Sequence, residues 1–207
     1  MSHFPARPNL AFLASHNGTN MRAIVAACKT GVLRAVQPIL LISNNGDSQA
    51  IAWAKQNKIE ARHISAKTEG SEAAADDTIA AVMSMAGIDL VVLAGYMRKL
   101  GPETLKVFHR RILNVHPALL PKFGGAGMYG AHVHNAVLKS GDTETGCTIH
   151  VVDDEYDHGP VVAQAKVAVA PGDTAETLAA RVQAREQTLY VETLKRIFSG
   201  EIDLDRL

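Results

Sequence analysis

The chain has 207 residues, 47% of them hydrophobic, which is enough to bury a substantial core as one globular domain. Its 21 Lys and Arg balance 21 Asp and Glu, and no basic run with interleaved aromatics occurs, which argues against nucleic acid or an anionic membrane as partner and points to small molecules. Cys28 and Cys147 lie far apart, so neither a disulfide framework nor a cysteine zinc site is indicated; with no export signal in MSHFPARPNL and no apolar run of spanning length, a cytoplasmic location is expected.

Short apolar runs alternate with helix-period segments, the pattern of βαβ units feeding a parallel sheet. In chain order the reading is strand 10–14, helix 20–30, strand 39–42, helix 48–57, strand 60–64, helix 72–86, strand 90–93 and helix 103–108. Strand 112–115, helix 132–139, strands 147–152 and 161–169, and helix 174–198 complete it, the last helix capped by Asp173 or Thr174. The polar stretch AKTEGSEAAADD, 66–77, reads as a mobile loop running into a helix. The expectation is a single α/β domain over 1–207, core 9–198, with a Rossmann-like, mostly parallel sheet of about seven strands flanked by helices.

In open parallel sheets ligands bind beyond the carboxyl ends of the strands, where strand order reverses. Four loops at such ends carry unusual polar sequence: 15–20, 95–98, 114–130 and 153–159. In SHNGTN, Gly18, Thr19 and Asn20 stand at the mouth of a helix, whose free N–H groups suit a monophosphate as well as they suit an ordinary cap. The segment lacks the glycine pattern of a dinucleotide fold and the Gly-Lys-Ser/Thr of a nucleotide-triphosphate loop. LAGYMRKL sets Arg98 beside an apolar strand end; it suits the wall of a pocket for a flat ligand, although a solvated arginine beside plugging Met97 and Leu100 explains it equally simply.

NVHPALLPKFGGAGMYG holds the sharpest signal. Asn114 and His116, two apart on a strand, point to one face at its end, and the chain then turns into a proline- and glycine-rich loop. Taken alone, Asn-x-His is more often a turn-initiating amide beside a half-exposed imidazole. In DDEYDHGPVV most of the carboxylates suit a solvated loop, but Asp157 precedes the Gly-Pro turn and is placed to face His116, keeping it charged and oriented. His150 is read as a packed or supporting histidine. His132 and His134 invite a zinc reading, but on a helix positions two apart diverge and no third ligand is specified, so no metal is expected.

Taken in order, ASHNGTNMRAI, VVLAGYMRKL, NVHPALLPKF, GCTIHVVDDEYDHGPVV and AVAPGDTAETLAARVQAREQTLY resemble the phosphoribosylglycinamide formyltransferase family, folate-dependent enzymes of purine synthesis. The likeness runs from about Asn9 to Phe198, and Asn-x-His-Pro-x-Leu-Leu-Pro with a downstream Asp-x-Gly-Pro is its specific part. The resemblance implies formyl transfer from 10-formyltetrahydrofolate, as co-substrate, to the amine of glycinamide ribonucleotide. It makes Asn114, His116 and Asp157 the catalytic trio, with Asn114 and protonated His116 donating to the oxyanion. It makes Gly18, Thr19, Asn20, Gln183 and Glu186 ribonucleotide contacts, and Met97, Arg98, Lys99 and Leu100, with Asn114, the folate side.

Two departures stand out. The glycine-rich KFGGAGMYGAHVH replaces the short Pro-Gly-Leu-His loop common in the family, and GSEAAAD lacks the arginine and aromatic that often open the third helix. Rivals are formyltetrahydrofolate hydrolase, which uses water as acceptor, another folate-dependent formyltransferase such as that acting on methionyl-tRNA, and a non-catalytic binding module. An intact Asn114, His116 and Asp157 speaks against the last.

Overall fold

The computed structural model describes residues 4–207. The strands are β1 (Asn9–Leu13), β2 (Gln37–Ser43), β3 (Glu60–His63), β4 (Leu90–Leu93), β5 (Ile112–His116), β6 (Glu144–Val151) and β7 (Val161–Ala168). The helices are α1 (Thr19–Lys29), α2 (Gln49–Gln56), α3 (Ala66–Glu69), α4 (Glu72–Met85), α5 (Pro102–Val107), α6 (Ala131–Ser140) and α7 (Ala175–Phe198). All seven strands join one sheet in the order β3-β2-β1-β4-β5-β6-β7.

Strand parity builds the layers. Leu10, Phe12, Leu41, Leu90, Val92 and Leu113 face one side, where they pack with Met21 and Ile24 of α1 and Leu178, Val182 and Leu194 of α7. Their neighbours Ala11, Leu13, Leu40, Ile42, Val91 and Ile112 face the other side, against Ala75, Ile79 and Met83 of α4. The central strands are therefore buried on both faces, which is why they read as continuous apolar runs. Tyr190 of α7, fully buried, brings its hydroxyl to 3.1 and 3.2 Å from the carbonyls of Leu93 and Leu113, tying that helix to the end of β4 and the first half of β5.

Two expectations change. The helix expected from 72 is present, but the stretch before it, 66–71, is not a mobile loop: Ser65 and Thr68 form a capping box for α3, Gly70 ends it in a left-handed conformation, and Ser71 caps α4 through the Ala74 N–H. The polar residues that suggested a loop are the helix caps. In the sheet, β1 to β5 run parallel, but β6 is antiparallel to both β5 and β7. The 152–160 connection is too short for a parallel crossover, which needs on the order of a dozen residues. Val151 at the end of β6 pairs with Leu113, one step below Asn114, so the 152–160 loop does not start beyond a parallel strand's carboxyl end. It reaches the site by folding back over one face of the sheet.

Candidate active site

Asn114 and His116 lie on one face of β5, and the antiparallel register sets His150 opposite Asn114 and Thr148 opposite His116. The Asn114 amide nitrogen is 3.2 Å from His150 Nε2, while His150 Nδ1 is 3.0 Å from the Val151 carbonyl. A carbonyl only accepts, so Nδ1 carries the proton and Nε2 accepts from Asn114. One amide hydrogen is thereby engaged, and the Asn114 side chain is held in orientation with its second hydrogen left over. His150 is thus the supporting histidine of the two readings.

Asp157 arrives from the folded-back loop in a left-handed conformation, φ 56°. Its carboxylate lies 3.2 Å from His116 Nδ1 and, more weakly, 3.5 Å from His150 Nε2, and it accepts from the Gly125 N–H at 3.1 Å. Burial pushes this carboxyl upward, but the hydrogen bond to His116, the charge there and the Gly125 amide outweigh it and hold the group well below the usual carboxylate range. The trio expected from sequence is assembled, with one difference. His116, which the resemblance makes a donor to the oxyanion, here turns its Nε2–H to the Phe123 carbonyl at 2.7 Å.

The segment between Pro117 and Pro121 is pinned from β6 and β7. Thr148 Oγ1 donates to the Ala118 carbonyl at 2.7 Å and accepts from the Leu120 N–H at 3.0 Å; Gln164 donates to Thr148 Oγ1 and the Leu120 carbonyl, each at 2.9 Å. These bonds satisfy a buried loop's main chain and set the height of the following glycines.

A cavity of about 570 Å³ opens over this trio. At its other end α1 and α7 meet: Asn20 donates to Glu186 at 3.2 Å and Gln183 to Thr19 Oγ1 at 3.4 Å, joining residues far apart in sequence as expected. Burial pushes the Glu186 carboxyl up to about 7, against the Asn20 hydrogen bond and the His116 charge. The N-terminus of α1 has no side-chain cap, so its first N–H groups remain available to an anion. Gly18, the residue before it, has φ 62°, and a Cβ there would meet Met21 Cε at 3.1 Å and Ala50 Cβ at 3.2 Å. Gly18 is required for the turn; a larger residue would press on the core, and Gly18 does not line the cavity as Thr19 and Asn20 do.

Met97, Arg98, Tyr129 and Tyr156 rim the cavity, the first and last two being exposed apolar surface. A recess of about 80 Å³ joins it, sharing Asn114, Tyr156 and Asp157 and walled by Leu93, Leu100 and Val152. Lys99 borders this recess with its ammonium 5.7 Å from the Tyr156 ring centre. All four residues expected on the folate side thus border one cavity or its recess.

Sequence reading missed Ser15, which is 2% exposed. Its hydroxyl donates to Asn44 Oδ1 at 2.6 Å and accepts from the Met97 N–H at 2.7 Å, and its own N–H donates to the Gly95 carbonyl, stitching the loop after β1 to the loop after β4. A short polar residue at a strand end is the only signal it offers. A larger cavity, about 730 Å³, lies beyond the loop after β4 and holds none of the trio; its buried Asp76 is spent capping α5 through the N–H groups of Glu103 and Thr104. On α6, His134 is buried whereas His132 is exposed and meets Tyr129 edge-on. Among the described residues no group of three His, Cys, Asp or Glu is placed to hold a metal ion, and no helix is long and apolar enough to cross a membrane.

Comparison with known proteins places this geometry. The sequence pattern of the family described as "Formyl transferase" matches residues 8–194. The chain is 42% identical over 202 residues to the chloroplastic phosphoribosylglycinamide formyltransferase of Arabidopsis thaliana, covering 97% of this chain and 69% of that protein. It is 38% identical to the phosphoribosylglycinamide formyltransferase of Escherichia coli strain K12, covering 95% and 90%. Among solved structures it superposes on glycinamide ribonucleotide transformylase 1 from Symbiobacterium toebii with TM-score 0.87 at 34% identity, covering 96% and 91%.

Proposed function

The chain belongs to the formyl transferase family, and from that premise we propose that it transfers the formyl group of 10-formyltetrahydrofolate to the amine of glycinamide ribonucleotide. The products are formylglycinamide ribonucleotide and tetrahydrofolate, a step of purine biosynthesis, in the cytoplasm. The observation that carries the reading is the single cavity with Asn114, His116 and Asp157 at one end and the uncapped α1 terminus with Glu186 and Gln183 at the other. That spacing suits a phosphorylated acceptor whose amine must reach the trio, and the recess beside Leu100 and Val152 suits the pterin end of the donor.

The amine nitrogen attacks the formyl carbon, the carbonyl electron pair moves to oxygen, and the resulting tetrahedral adduct collapses by breaking the bond to the folate N10. One proton leaves the amine and one reaches N10. Asn114 has an amide hydrogen free for the oxyanion while its other is held by His150, and the His116 cation stabilises the same charge. Asp157 keeps that cation paired and is placed to orient a water that relays the proton.

Formyl transfer assayed with and without glycinamide ribonucleotide tests the reading. Tetrahydrofolate release that depends on the ribonucleotide is expected. Release at the same rate without it would make the protein a hydrolase of formyltetrahydrofolate instead.

A further inference from the structure

A smaller cavity of about 310 Å³ lies between α6 and α7. Pro117, Gly130, Gln183 and Glu186 wall both it and the cavity over the trio, so the two spaces meet at the end proposed for the acceptor. His134 of α6 borders the smaller one and is 5% exposed. Its Nδ1 is sealed from solvent without a hydrogen-bond partner, whereas Nε2, which bonds to no described residue, is not sealed. An orphaned buried N–H is rarer in folded proteins than an orphaned acceptor, so the ring proton is assigned to Nε2. Burial and the nearby His116 charge push the pKa of this imidazole down, which keeps it neutral. The cavity thus has an N–H donor on its wall that the protein itself does not use.

The other walls limit what can use that donor. Glu176, whose carboxyl the Thr174 hydroxyl holds below the usual carboxylate range, and Glu186 both line the cavity and disfavour a phosphate or carboxylate there. Among the described residues no group of three His, Cys, Asp or Glu is placed to hold a metal ion. An uncharged group bearing hydroxyls fits, because the Gln183 amide and His134 Nε2 offer N–H groups and the Glu186 carboxyl offers an acceptor. Position narrows the choice. Gln183 and Glu186 bond to Thr19 and Asn20 at the uncapped mouth of α1, at 3.4 and 3.2 Å, so the space lies one side chain away from the proposed phosphate site, and Pro117 sets it next to His116. Between the phosphate and the amine of glycinamide ribonucleotide stands its ribose.

We propose that this space takes the ribose of the acceptor and that His134 is a specificity-determining residue there, donating its Nε2–H to one of the ring hydroxyls while Glu186 accepts from the other. This role rests on the proposed formyl transfer and adds to it a residue that belongs neither to the trio nor to the phosphate mouth. It also accounts for a buried histidine that the protein leaves unpaired: the cost of taking the ring out of water is offset when the sugar arrives. An acceptor lacking that hydroxyl leaves the donor unpaired again and binds more weakly for that reason.

The test is calorimetry without folate, on wild type, His134→Leu and His134→Gln, using glycinamide ribonucleotide and its 2′-deoxy and 3′-deoxy analogues. Wild type should bind each analogue about tenfold more weakly than the parent. His134→Leu should bind the parent about tenfold more weakly than wild type does, and one of the two analogue penalties should shrink to about twofold or less while the other stays. His134→Gln keeps an N–H donor and should restore part of the lost penalty, which a packing role would not do. Both penalties kept in full by His134→Leu, or a wild type indifferent to both hydroxyls, would overturn the proposal while leaving formyl transfer to this acceptor intact. A wild type that binds no glycinamide ribonucleotide would overturn the acceptor reading and this role with it. Should His134→Leu fail to fold, ring ¹⁵N spectra of histidine-labelled wild type decide, with the His134 signals assigned by their absence from His134→Gln. A proton on Nε2 and a shift produced by the parent but not by one of the analogues are expected; a proton on Nδ1, or no shift with any of the three, would overturn the proposal.

Discussion

At the β5–β6 end of the cavity, Asn114, His116, His150 and Asp157 are held by one another and by main-chain groups, whereas at the α1–α7 end Asn20 Oδ1 has no partner and the α1 terminus has no side-chain cap. The difference shows in ionisation as well. Asp157, burial notwithstanding, is held low by His116 and the Gly125 amide, while Glu186, with the Asn20 amide and the more distant His116 charge against it, is lifted by burial to about 7. The end proposed for bond exchange is organised in advance, and the end proposed for the acceptor leaves polar groups for a ligand to satisfy. Substitutions at the first end should therefore cost rate, and those at the second should cost affinity.

The largest effect is expected from Asn114→Ala. It removes the hydrogen bond made chiefly to the oxyanion and should lower kcat by roughly two orders of magnitude with little change in either KM. The double variant with His116→Ala should lose less than the sum of the two single losses, since both act on one charge. Near-normal turnover in Asn114→Ala would break the comparison at its strong end.

Asp157→Asn keeps the shape and removes the charge, and a kcat loss of about tenfold or more is expected. It also has a stability signature. A carboxyl held below its unfolded value of about 3.9 contributes stability that is present above that pH and lost as pH falls through the folded value. Denaturation at pH 7 and pH 3 should thus show wild type ahead of the variant at pH 7 and the gap closing in acid. A gap independent of pH would mean that the carboxylate is not engaged by His116.

Glu186→Gln should raise the KM for glycinamide ribonucleotide on the order of tenfold and leave the folate KM nearly alone. Here the sign of the pH effect reverses. A carboxyl raised from 4.5 to about 7 contributes stability present below 4.5 and lost as pH rises through about 7. Wild type should lose stability across that window relative to the variant, read from Tm at pH 4.5 and pH 7.5. Equal slopes would place Glu186 in water.

The smallest catalytic effect is expected from Gly18→Ala. The methyl would press on Met21 and Ala50 in a left-handed turn, so a loss of about 1–2 kcal/mol in stability is expected with kcat and the folate KM close to wild type. A selective loss of ribonucleotide affinity at full stability would instead put Gly18 itself against the phosphate.

Much of this was legible from residue patterns because it is local. The parallel part of the sheet follows from apolar runs at strand length, α7 from its cap at Thr174, and the pairing of Asn114 with His116 from the two-residue period of a strand. Even so, polar composition alone misplaced 66–71, because Ser65 and Ser71 serve as caps only if helices follow, and composition does not distinguish a cap from a loop.

The sequence by itself determined the residue types at the site and their strand or helix periods, together with the family resemblance. Only the tertiary structure decided which atoms meet. The antiparallel turn of β6 brings His150 against Asn114, and the folded-back loop brings Asp157 to His116. The α1–α7 contact brings Asn20 to Glu186 across 166 residues of sequence. The Phe123 carbonyl on His116 Nε2 was beyond any sequence pattern, because every residue carries a carbonyl and only the path of the main chain aims it.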